Sequence, residues 1–434
     1  MSLHDVYFDY CDKYTKLYGP MTIVVMQVGS FYEAYSVSNA TETIGADLRS
    51  VCDMLNIQLT RKNKSIIENS RTNPQMAGFP LATLEKNVQI LVNHGYTIVI
   101  ITQTTPPPNP KREVTDIISP SMPMIVQKKE SNWLMVLNIL NTNAIGIALA
   151  DTTTGQVQVY EVWSTKDDPS LANDEAFRII QTYNPKELVL ITSHQTHNNQ
   201  INQNNQTNQL PISANIIVHE RSNNHYEKIS YQNAILEKVY GEHIGLLSPI
   251  ETLNLERCPL ATIALCHMLQ FIYDHNENIV SKLALPEILT YQKFLTIHYN
   301  GASQLNLIHG EKPLLSILNR CSTAFGARLF KDRLLHPLVE PDAIQKRLDD
   351  VERFMKLDYE TIRQNLSKII DLERILRKIS LKMLSPMDWI AIDNSLDIAL
   401  GIFEMISHNE QHHTQQQAQI KKIQESYRTN ICLL

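Results

Sequence analysis

The chain contains 434 residues, of which 43% are hydrophobic and 19% are charged, which predicts an ordinary globular protein with two to four domains. A formal net charge of −6 argues against a nucleic-acid binder that is basic throughout, although a local basic patch is compatible with that balance. The six cysteines form no Cys-x-x-Cys pair, no run of about 18 apolar residues occurs and no secretory leader is visible, so we expect an intracellular protein with reduced thiols, no zinc site and no membrane span.

Residues 1–118 predict a mixed α/β domain. Short runs rich in Ile and Val are typical of buried strands, whereas apolar residues that recur with the helical period are typical of a helix. Prolines can continue neither element, so a proline-rich segment predicts an extended connector. In chain order, the predicted elements are a strand at 22–28 that ends at Gly29, a helix at 84–93, a strand at 96–102 and the connector at 105–110.

Residues 119–234 predict a second α/β domain, because successive strands are followed by an alternating helix and strand. The segment 193–208 is rich in Asn, Gln and His and has almost nothing to bury, so it predicts a flexible surface loop. The predicted elements are strands at 133–140, 144–150 and 157–163, a helix at 172–183 and a strand at 187–192.

Residues 235–434 predict an all-α domain. Pro259 suits the first turn of a helix, and the residues after it form a broad apolar face. The apolar ending 431–434 carries no helix stop signal, so we expect the chain to be cut inside a helix. The predicted helices cover 259–273, 314–335, 342–357, 362–383 and 388–406.

The segment Gly29-Ser30-Phe31-Tyr32-Glu33 places an aromatic ring two residues from a carboxylate. Such a ring can enter a base step of a weakened duplex, and the carboxyl can hydrogen-bond the base edge that this exposes. A mispaired step has already lost part of its stacking and pairing, so the ring would test deformability rather than sequence. The same residues also fit a core Phe and a solvated Glu at a strand end.

The order of several segments resembles the MutS family of DNA mismatch-repair proteins. The resemblance implies a mismatch-binding domain at 1–118, an RNase H-like connector domain at 119–234 and an incomplete helical core and lever domain at 235–434. The resembling segments are 29–33, 55–62, 75–80, 91–96, 184–188, 305–307, 323–328, 335–338 and 371–374. The sequence departs from the family pattern at Leu81-Ala82, Thr102 and Arg333.

For DNA recognition, the resemblance implies that Phe31 is inserted from the minor groove and that Glu33 hydrogen-bonds a base. A carboxylate near phosphates is repelled, and it must carry a proton to donate to a base acceptor. Our hypothesis is that Glu33 is neutral, or shares a proton, in the bound complex.

Basic residues after the 55–60 segment predict phosphate contacts, although an exposed solvating loop explains them equally well. This predicted patch comprises Arg61, Lys62 and Lys64, with Arg71 nearby. Lys111-Arg112 is a second and weaker candidate for phosphate contact, and we interpret these two residues as charges on a linker.

The remaining family-like residues are interpreted as structural. Gly29, Gly78 and Pro80 belong to the segments around the predicted reading motif. We expect ion pairs and packed side-chain stems to connect the helical core, and we expect a glycine to permit close helix approach. The residues concerned are Arg328, Asp371 and Arg374, with Gly326 as the glycine.

Asp151 ends a predicted strand, where the RNase H fold can place a ligand for catalytic Mg²⁺. Two-metal chemistry needs several converging carboxylates, and the neighbouring strands offer only Glu161 and Glu187, so a turn-capping role is favoured. The histidines of two polar segments lack the spacing of metal ligands, and no metal site is predicted. They are His194, His197, His412 and His413.

None of the 13 glycines is followed by Lys, so the chain has no Walker A motif. MutS proteins carry an ATPase and a DNA clamp, both of which we expect to be missing here. We therefore predict no enzyme activity and no cofactor for this chain, with ATP and Mg²⁺ needed only by the missing ATPase.

The predicted function is recognition of mismatched or lesion-containing duplex DNA. Expected partners are that DNA, a MutS-type dimer partner or a separately encoded ATPase half, and a MutL-like protein. Two alternatives are open: a structural or decoy module of a split MutS-like protein that no longer senses mismatches, and an RNase H-like Mg²⁺-dependent nuclease.

Overall fold

The protein is described by a computed structural model, in which an α/β region precedes a mainly helical region. The described residues are 3–61, 63–66, 68–106, 110–123, 130–140, 143–192, 216–223, 225–290, 294–297, 301–308, 310–407 and 422. Predictions for Lys62, His194, His197, His412, His413 and the loop 193–208 fall outside these residues. No helix in the described ranges is both long enough and apolar enough to cross a bilayer.

A first sheet occupies residues 22–118, and its strand order is β4-β5-β2-β1-β6-β7, with β3 paired to β2. The predicted strands at 22–28 and 96–102 are confirmed as β1 and β6, which pair in parallel. Gly29, at φ +61°, begins the two-residue turn that joins β1 to β2. The strands are β1 Thr22–Val28, β2 Phe31–Ser38, β3 Thr43–Ile44, β4 Thr60–Arg61, β5 Gln75–Pro80, β6 Thr97–Gln103 and β7 Arg112–Ile118.

Helices cover both faces of the first sheet, as the alternation of side chains along its buried strands requires. Leu3–Tyr18 packs on one face, where Tyr35 and Val37 of β2 join its core. Leu48–Leu55 and Leu84–Asn93 pack on the other face, against Tyr32 and Ala34. Residues 31, 33, 35 and 37 of β2 therefore share the face of Leu3–Tyr18.

A second sheet follows, in the strand order β12-β11-β8-β9-β10-β13. The helix Leu171–Tyr183 covers one face and the helix Pro259–His275 covers the other. The RNase H-like assignment and the predicted domain boundaries stay predictions. The strands are β8 Trp133–Leu140, β9 Ala144–Asp151, β10 Gln156–Trp163, β11 Glu187–Thr192, β12 Ile217–Ser222 and β13 Glu287–Ile288.

The helix Pro259–His275 approaches β9 very closely. A Cβ atom on Gly146 would overlap the backbone of Leu260 and Ala261. Glu161 of β10 accepts the backbone N–H groups of Leu260 and Ala261 at 2.7 and 2.9 Å, so it satisfies donors that the first helical turn leaves unpaired. The small residue and the carboxylate together place this helix on the sheet.

The later region is not purely helical, because it contributes the edge strand β13, which pairs in parallel with β10. Two of the long predicted helices are wrong. Thr323 accepts the Gly326 N–H at 3.1 Å and starts a new helix, which divides 314–335, and a second helix begins after Asp371 within 362–383. The helices beyond residue 220 are Ile229–Tyr240, Pro249–Thr252, Pro259–His275, Glu277–Val280, Gly301–Gln304, Leu314–Leu318, Ala324–Leu335, Pro341–Met355, Tyr359–Leu366, Leu372–Ser380 and Pro386–Ser407.

The two sheets are joined by a buried carboxylate. Glu187, at the start of β11, accepts the Ser119 hydroxyl at 2.6 Å, the Ser121 N–H at 2.8 Å and the Ser121 hydroxyl. His219 of β12 lies 2.9 Å from its other oxygen. Burial alone would raise the pKa of Glu187, but the hydrogen bond and charge of His219, with the Ser119 hydroxyl, lower that pKa to about 2. The connection at 119–121 is therefore held against the second sheet.

Candidate nucleic-acid interface

Phe31 is the exposed end of a row of side chains on one face of β2 that is partly exposed at Glu33 and buried at Tyr35 and Val37. It is the first residue of β2 and pairs with Val28 of β1 and Pro80 of β5. Its relative exposure is 45%, whereas Tyr35, on the same face of the strand, is 3% exposed. The ring consequently projects from the end of the sheet while the strand behind it is fixed in the core.

Glu33 lies between Phe31 and Tyr35 on that face and is partly exposed. The residue opposite it on β5 is Gly78, which has no side chain to occupy the space. Tyr35 donates its hydroxyl hydrogen to Glu33 Oε2. Burial, helped by Glu33, raises the pKa of Tyr35 well above its usual range, so the phenol keeps its proton and acts as the donor.

The Tyr35 ring is itself fixed by two aromatic neighbours on the helix Leu3–Tyr18. The ring centroids of His4 and Tyr7 each lie 4.9 Å from it in edge-on geometry. Tyr7 donates its hydroxyl hydrogen to the Val24 carbonyl at 2.8 Å. The hydroxyl that contacts Glu33 is therefore carried by a ring with little freedom to move.

Pro80 and Leu81 complete the end of the sheet beside Phe31. The Leu81 N–H donates to the Ser30 carbonyl at 3.1 Å, which ties the end of β5 to the turn before Phe31. Leu81 is also exposed. The departure from the family pattern at this position thus places a second apolar side chain near Phe31.

The predicted basic patch does not surround Phe31. Arg61 of β4 pairs with Gln75, which in turn pairs with Ser36 of β2. Since Ser36 is five residues beyond Phe31, Arg61 is displaced by about 17 Å along the strand direction. Lys64 lies exposed in the loop that follows, so any phosphate contact from this loop would be remote from the ring.

Arg71 has a different environment from Lys64. Its Nε donates to the Glu42 carboxylate at 2.9 and 3.1 Å, and its guanidinium carbon lies 5.6 Å from the centroid of the Phe8 ring. Asn73 holds this loop through a bond with the Asn63 N–H at 2.9 Å. Arg71 therefore links the loop to Glu42 and the first helix, and its predicted DNA contact stays untested.

Lys111 and Arg112 lie at the same end of the first sheet as Phe31, and our interpretation of them as linker charge is wrong for Arg112. Arg112 is the first residue of β7 and pairs with Gln103. Its Nε donates to the Gln27 carbonyl at 3.0 Å, and Gln27 is the partner of Tyr32. Strand register produces this proximity, which is why spacing along the chain did not reveal it.

The helical residues of the family-like set form an ion-pair cluster. Arg328 donates to Asp371 at 2.8 and 2.6 Å and to Glu373 at 3.0 and 2.6 Å. Burial would raise the pKa of Asp371, but Arg328 outweighs it and the pKa is lowered. Arg374 extends to the Glu130 carbonyl at 2.5 Å. These contacts connect two helices of the core to the segment that precedes β8.

Gly326 has a role other than the one predicted. A Cβ atom there would lie 2.7 Å from Thr323 Oγ1, the atom that accepts the Gly326 N–H. The glycine therefore accommodates the cap of its own helix, and among the described residues the atoms nearest to that Cβ position belong to the side chains of Thr323 and Cys321.

The three carboxylates considered for nuclease chemistry serve three separate places. Asp151 accepts the Thr153 N–H at 3.0 Å and its hydroxyl at 2.6 Å, Glu161 caps a helix and Glu187 joins the sheets. Within the described ranges, no group of three or more His, Cys, Asp or Glu side chains is arranged to hold a metal ion. This geometry gives the nuclease alternative no support.

Comparison with known proteins places these features in one family. Residues 10–125 match MutS domain I and residues 295–432 match MutS domain III. A putative DNA mismatch repair protein of Acanthamoeba polyphaga mimivirus, mutS homolog L359, is 30% identical over 94% of this chain and 40% of its own length. The DNA mismatch repair protein MutS of Fervidobacterium nodosum is 29% identical over 93% of this chain and 44% of its own length.

The MutS protein of Thermotoga neapolitana is 26% identical over 89% of this chain and 44% of its own length. The chain thus spans less than half the length of these relatives. The two domain matches lie on either side of the second sheet, and the relatives align across that sheet as well. With the exposed aromatic and the carboxylate behind it inside the domain I match, the chain belongs to the MutS family.

Proposed function

We propose that this chain binds mismatched or lesion-containing duplex DNA and inserts Phe31 into the weakened step from the minor groove. The observation that carries the proposal is the exposed Phe31 ring at the end of β2, whose residues Tyr35 and Val37 on the same face are buried. Intercalation costs a few kcal/mol of unstacking per step. A rigid strand behind the ring reduces the additional cost of ordering the protein, and a mismatched step reduces the cost of opening the DNA.

Glu33 supplies the polar contact in this proposal. It follows Phe31 on the same face of β2, so a base beside the inserted ring would lie within reach of the carboxyl. A protonated Glu33 donates to a base acceptor, as the sequence hypothesis requires. This hydrogen bond would stabilise the complex with an unstacked base and would be absent in a complex with an intact duplex.

Cations at two places on the first sheet support contact with the backbone of one duplex. Lys111 and Arg112 lie at the Phe31 end. Arg61 lies about 17 Å along the strand direction, which corresponds to about five base pairs of DNA, and Lys64 is in the loop that follows it. We assign the near pair to phosphates beside the opened step and the distant pair to phosphates that flank it.

The relatives are named as DNA mismatch repair proteins, and we extend that process to this chain. Dimerisation, a MutL-like partner and ATP-dependent steps form part of the same proposal. The chain itself contains no Gly-Lys pair for a Walker A loop.

The proposal is tested by fluorescence anisotropy with a G·T duplex, a one-base insertion and a matched duplex. We expect tighter binding to the first two, and we expect Phe31→Ala to remove this preference. Tyr359→Ala is the matched control, because Tyr359 is an exposed ring on a distant helix. Equal affinity of the unmodified chain for all three duplexes would contradict mismatch recognition and favour the structural module.

A further inference from the structure

We propose that Tyr35 is a positioning residue for Glu33, which fixes the orientation of the carboxyl so that one oxygen is presented to the base. The inference rests on the proposed function. The proposed function itself requires only Phe31 and Glu33. The inference adds a role for one further group, the Tyr35 hydroxyl.

The first step is the geometry of the strand. Residues two apart on a strand lie on one face, so Tyr35 stands directly behind Glu33 and Glu33 stands directly behind Phe31. The Tyr35 hydroxyl donates to Oε2 of Glu33. Glu33 Oε1 is therefore the oxygen left to contact a base.

The second step is rigidity. A partly exposed Glu side chain samples several rotamers, and ordering it on binding costs about 1 kcal/mol. Tyr35 is 3% exposed and is packed between His4 and Tyr7, so its hydroxyl is a fixed anchor. The open space above Gly78 lets the carboxyl reach this anchor without a clash.

The third step concerns the proton. A carboxyl oxygen that accepts a hydrogen bond from Tyr35 keeps its lone pair there, so a proton that Glu33 takes up belongs on Oε1, where it can be donated to a base. Tyr35 consequently defines the direction of donation.

Four elements of the described part of the chain place groups around this pair. Leu3–Tyr18 contributes His4 and Tyr7, β1 and β5 place Met26 and Gly78 opposite Glu33, and Arg112 of β7 lies close enough to lower the pKa of Tyr35 slightly against the larger effect of burial.

Tyr35→Phe tests the inference, because it removes the hydroxyl and retains the ring between His4 and Tyr7. Tyr32→Phe is the matched control. Tyr32 is also buried and also loses one hydroxyl, but it lies on the opposite face of β2. Each variant, Glu33→Gln and the double variant Tyr35→Phe/Glu33→Gln are titrated with G·T and matched duplexes between pH 5.5 and 8.5.

We expect Tyr35→Phe to lower the mismatch-to-match affinity ratio by roughly three- to tenfold at low pH, the effect of one hydrogen bond, without changing matched binding. Tyr32→Phe should leave both unchanged, and the double variant should lose no more than Glu33→Gln alone.

Two results would overturn the inference while leaving the proposed function intact. One is a mismatch-to-match affinity ratio in Tyr35→Phe that equals that of the unmodified chain at every pH. The other is an equal loss of affinity for both duplexes accompanied by a lower unfolding temperature, which indicates a structural role only. If the unmodified chain shows no mismatch preference at any pH, the proposed function fails first and the inference fails with it.

Discussion

Gly78 lies directly opposite Glu33 in the antiparallel pairing of β2 and β5, and a Cβ atom at residue 78 would lie 3.3 Å from Glu33 Cγ and 3.1 Å from the Tyr32 carbonyl oxygen. Such contacts are tight enough to displace a side chain but not to break the strand pairing. The absence of a side chain at one position therefore sets the space available to the carboxyl at another.

We predict that Gly78→Ala reduces the preference for mismatched DNA and leaves matched binding unchanged, because Glu33 must shift to avoid the new methyl group. The stability cost should be about 1 kcal/mol, at the low end for overpacking. Gly241→Ala is the control, since a Cβ atom there meets nothing within 4 Å. Duplex titrations and urea unfolding of both variants provide the measurement, and an unaltered preference in Gly78→Ala would show that Glu33 needs no such space.

Gly146→Ala is predicted to be far more damaging, with no direct effect on the interface. Its Cβ atom would overlap backbone atoms at the start of the helix Pro259–His275, which cannot rotate away as a side chain can. We expect a loss of about 3 kcal/mol or more in the free energy of unfolding, or failure to fold. Urea denaturation followed by circular dichroism measures this, again beside Gly241→Ala, and an unchanged denaturation midpoint would mean that the helix approaches β9 less closely.

Acid should destabilise the protein in two stages. Burial lowers the pKa of His275 and of His267 from 6.5 to about 4 in each case, so the unfolded chain binds more protons and stability falls as the pH drops from 6.5 to about 4. Glu187 has a folded-state pKa of about 2 against 4.5 unfolded, so its contribution is lost as the pH falls from 4.5 towards 2.

The free energy of unfolding, measured from pH 7.5 to pH 3, tests whether stability falls on acidification. His275→Gln should flatten the slope between pH 6.5 and 4, whereas His243→Gln, on an exposed residue, should not. A stability that rises on acidification through this range would contradict neutral buried histidines.

Lys111→Ala is predicted to weaken binding to matched and mismatched duplexes alike, because a phosphate contact carries no sequence information. The slope of log affinity against log salt should become shallower by about 1. Lys166→Ala, at an exposed turn of the second sheet, is the control. If both variants retain the original slope, the Phe31 end of the sheet does not meet the backbone through Lys111.

Local sequence patterns were sufficient to predict many of the helices and strands. The strand at 133–140 and the helix at 84–93 have the predicted bounds, because each is a single run of one period with clear turn residues around it. The break at 319–323 was missed although Thr323 is a good N-cap, since the apolar spacing continues through it and outweighed the cap.

The interface depended on information of another kind. Phe31 and Glu33 were found from their resemblance to a known motif, whereas Arg112 is near them only because β2, β1, β6 and β7 are neighbours in the sheet. No local sequence pattern predicts the register between strands that are distant along the chain. Tyr35 was within reach of sequence reasoning, because the two-residue period of a strand already aligns it with Glu33.

The buried Glu187 has a mechanical consequence. Swinging the first sheet about residues 119–121 would strip a desolvated carboxylate of its serine donors, at a cost of several kcal/mol. The connection at 119–121 is consequently rigid, and we expect the two sheets to move as one rigid body. A displacement of Phe31 by a kinked duplex would then be transmitted to the C-terminal end of the helix Pro259–His275. At that end Tyr18 packs edge-on against His275.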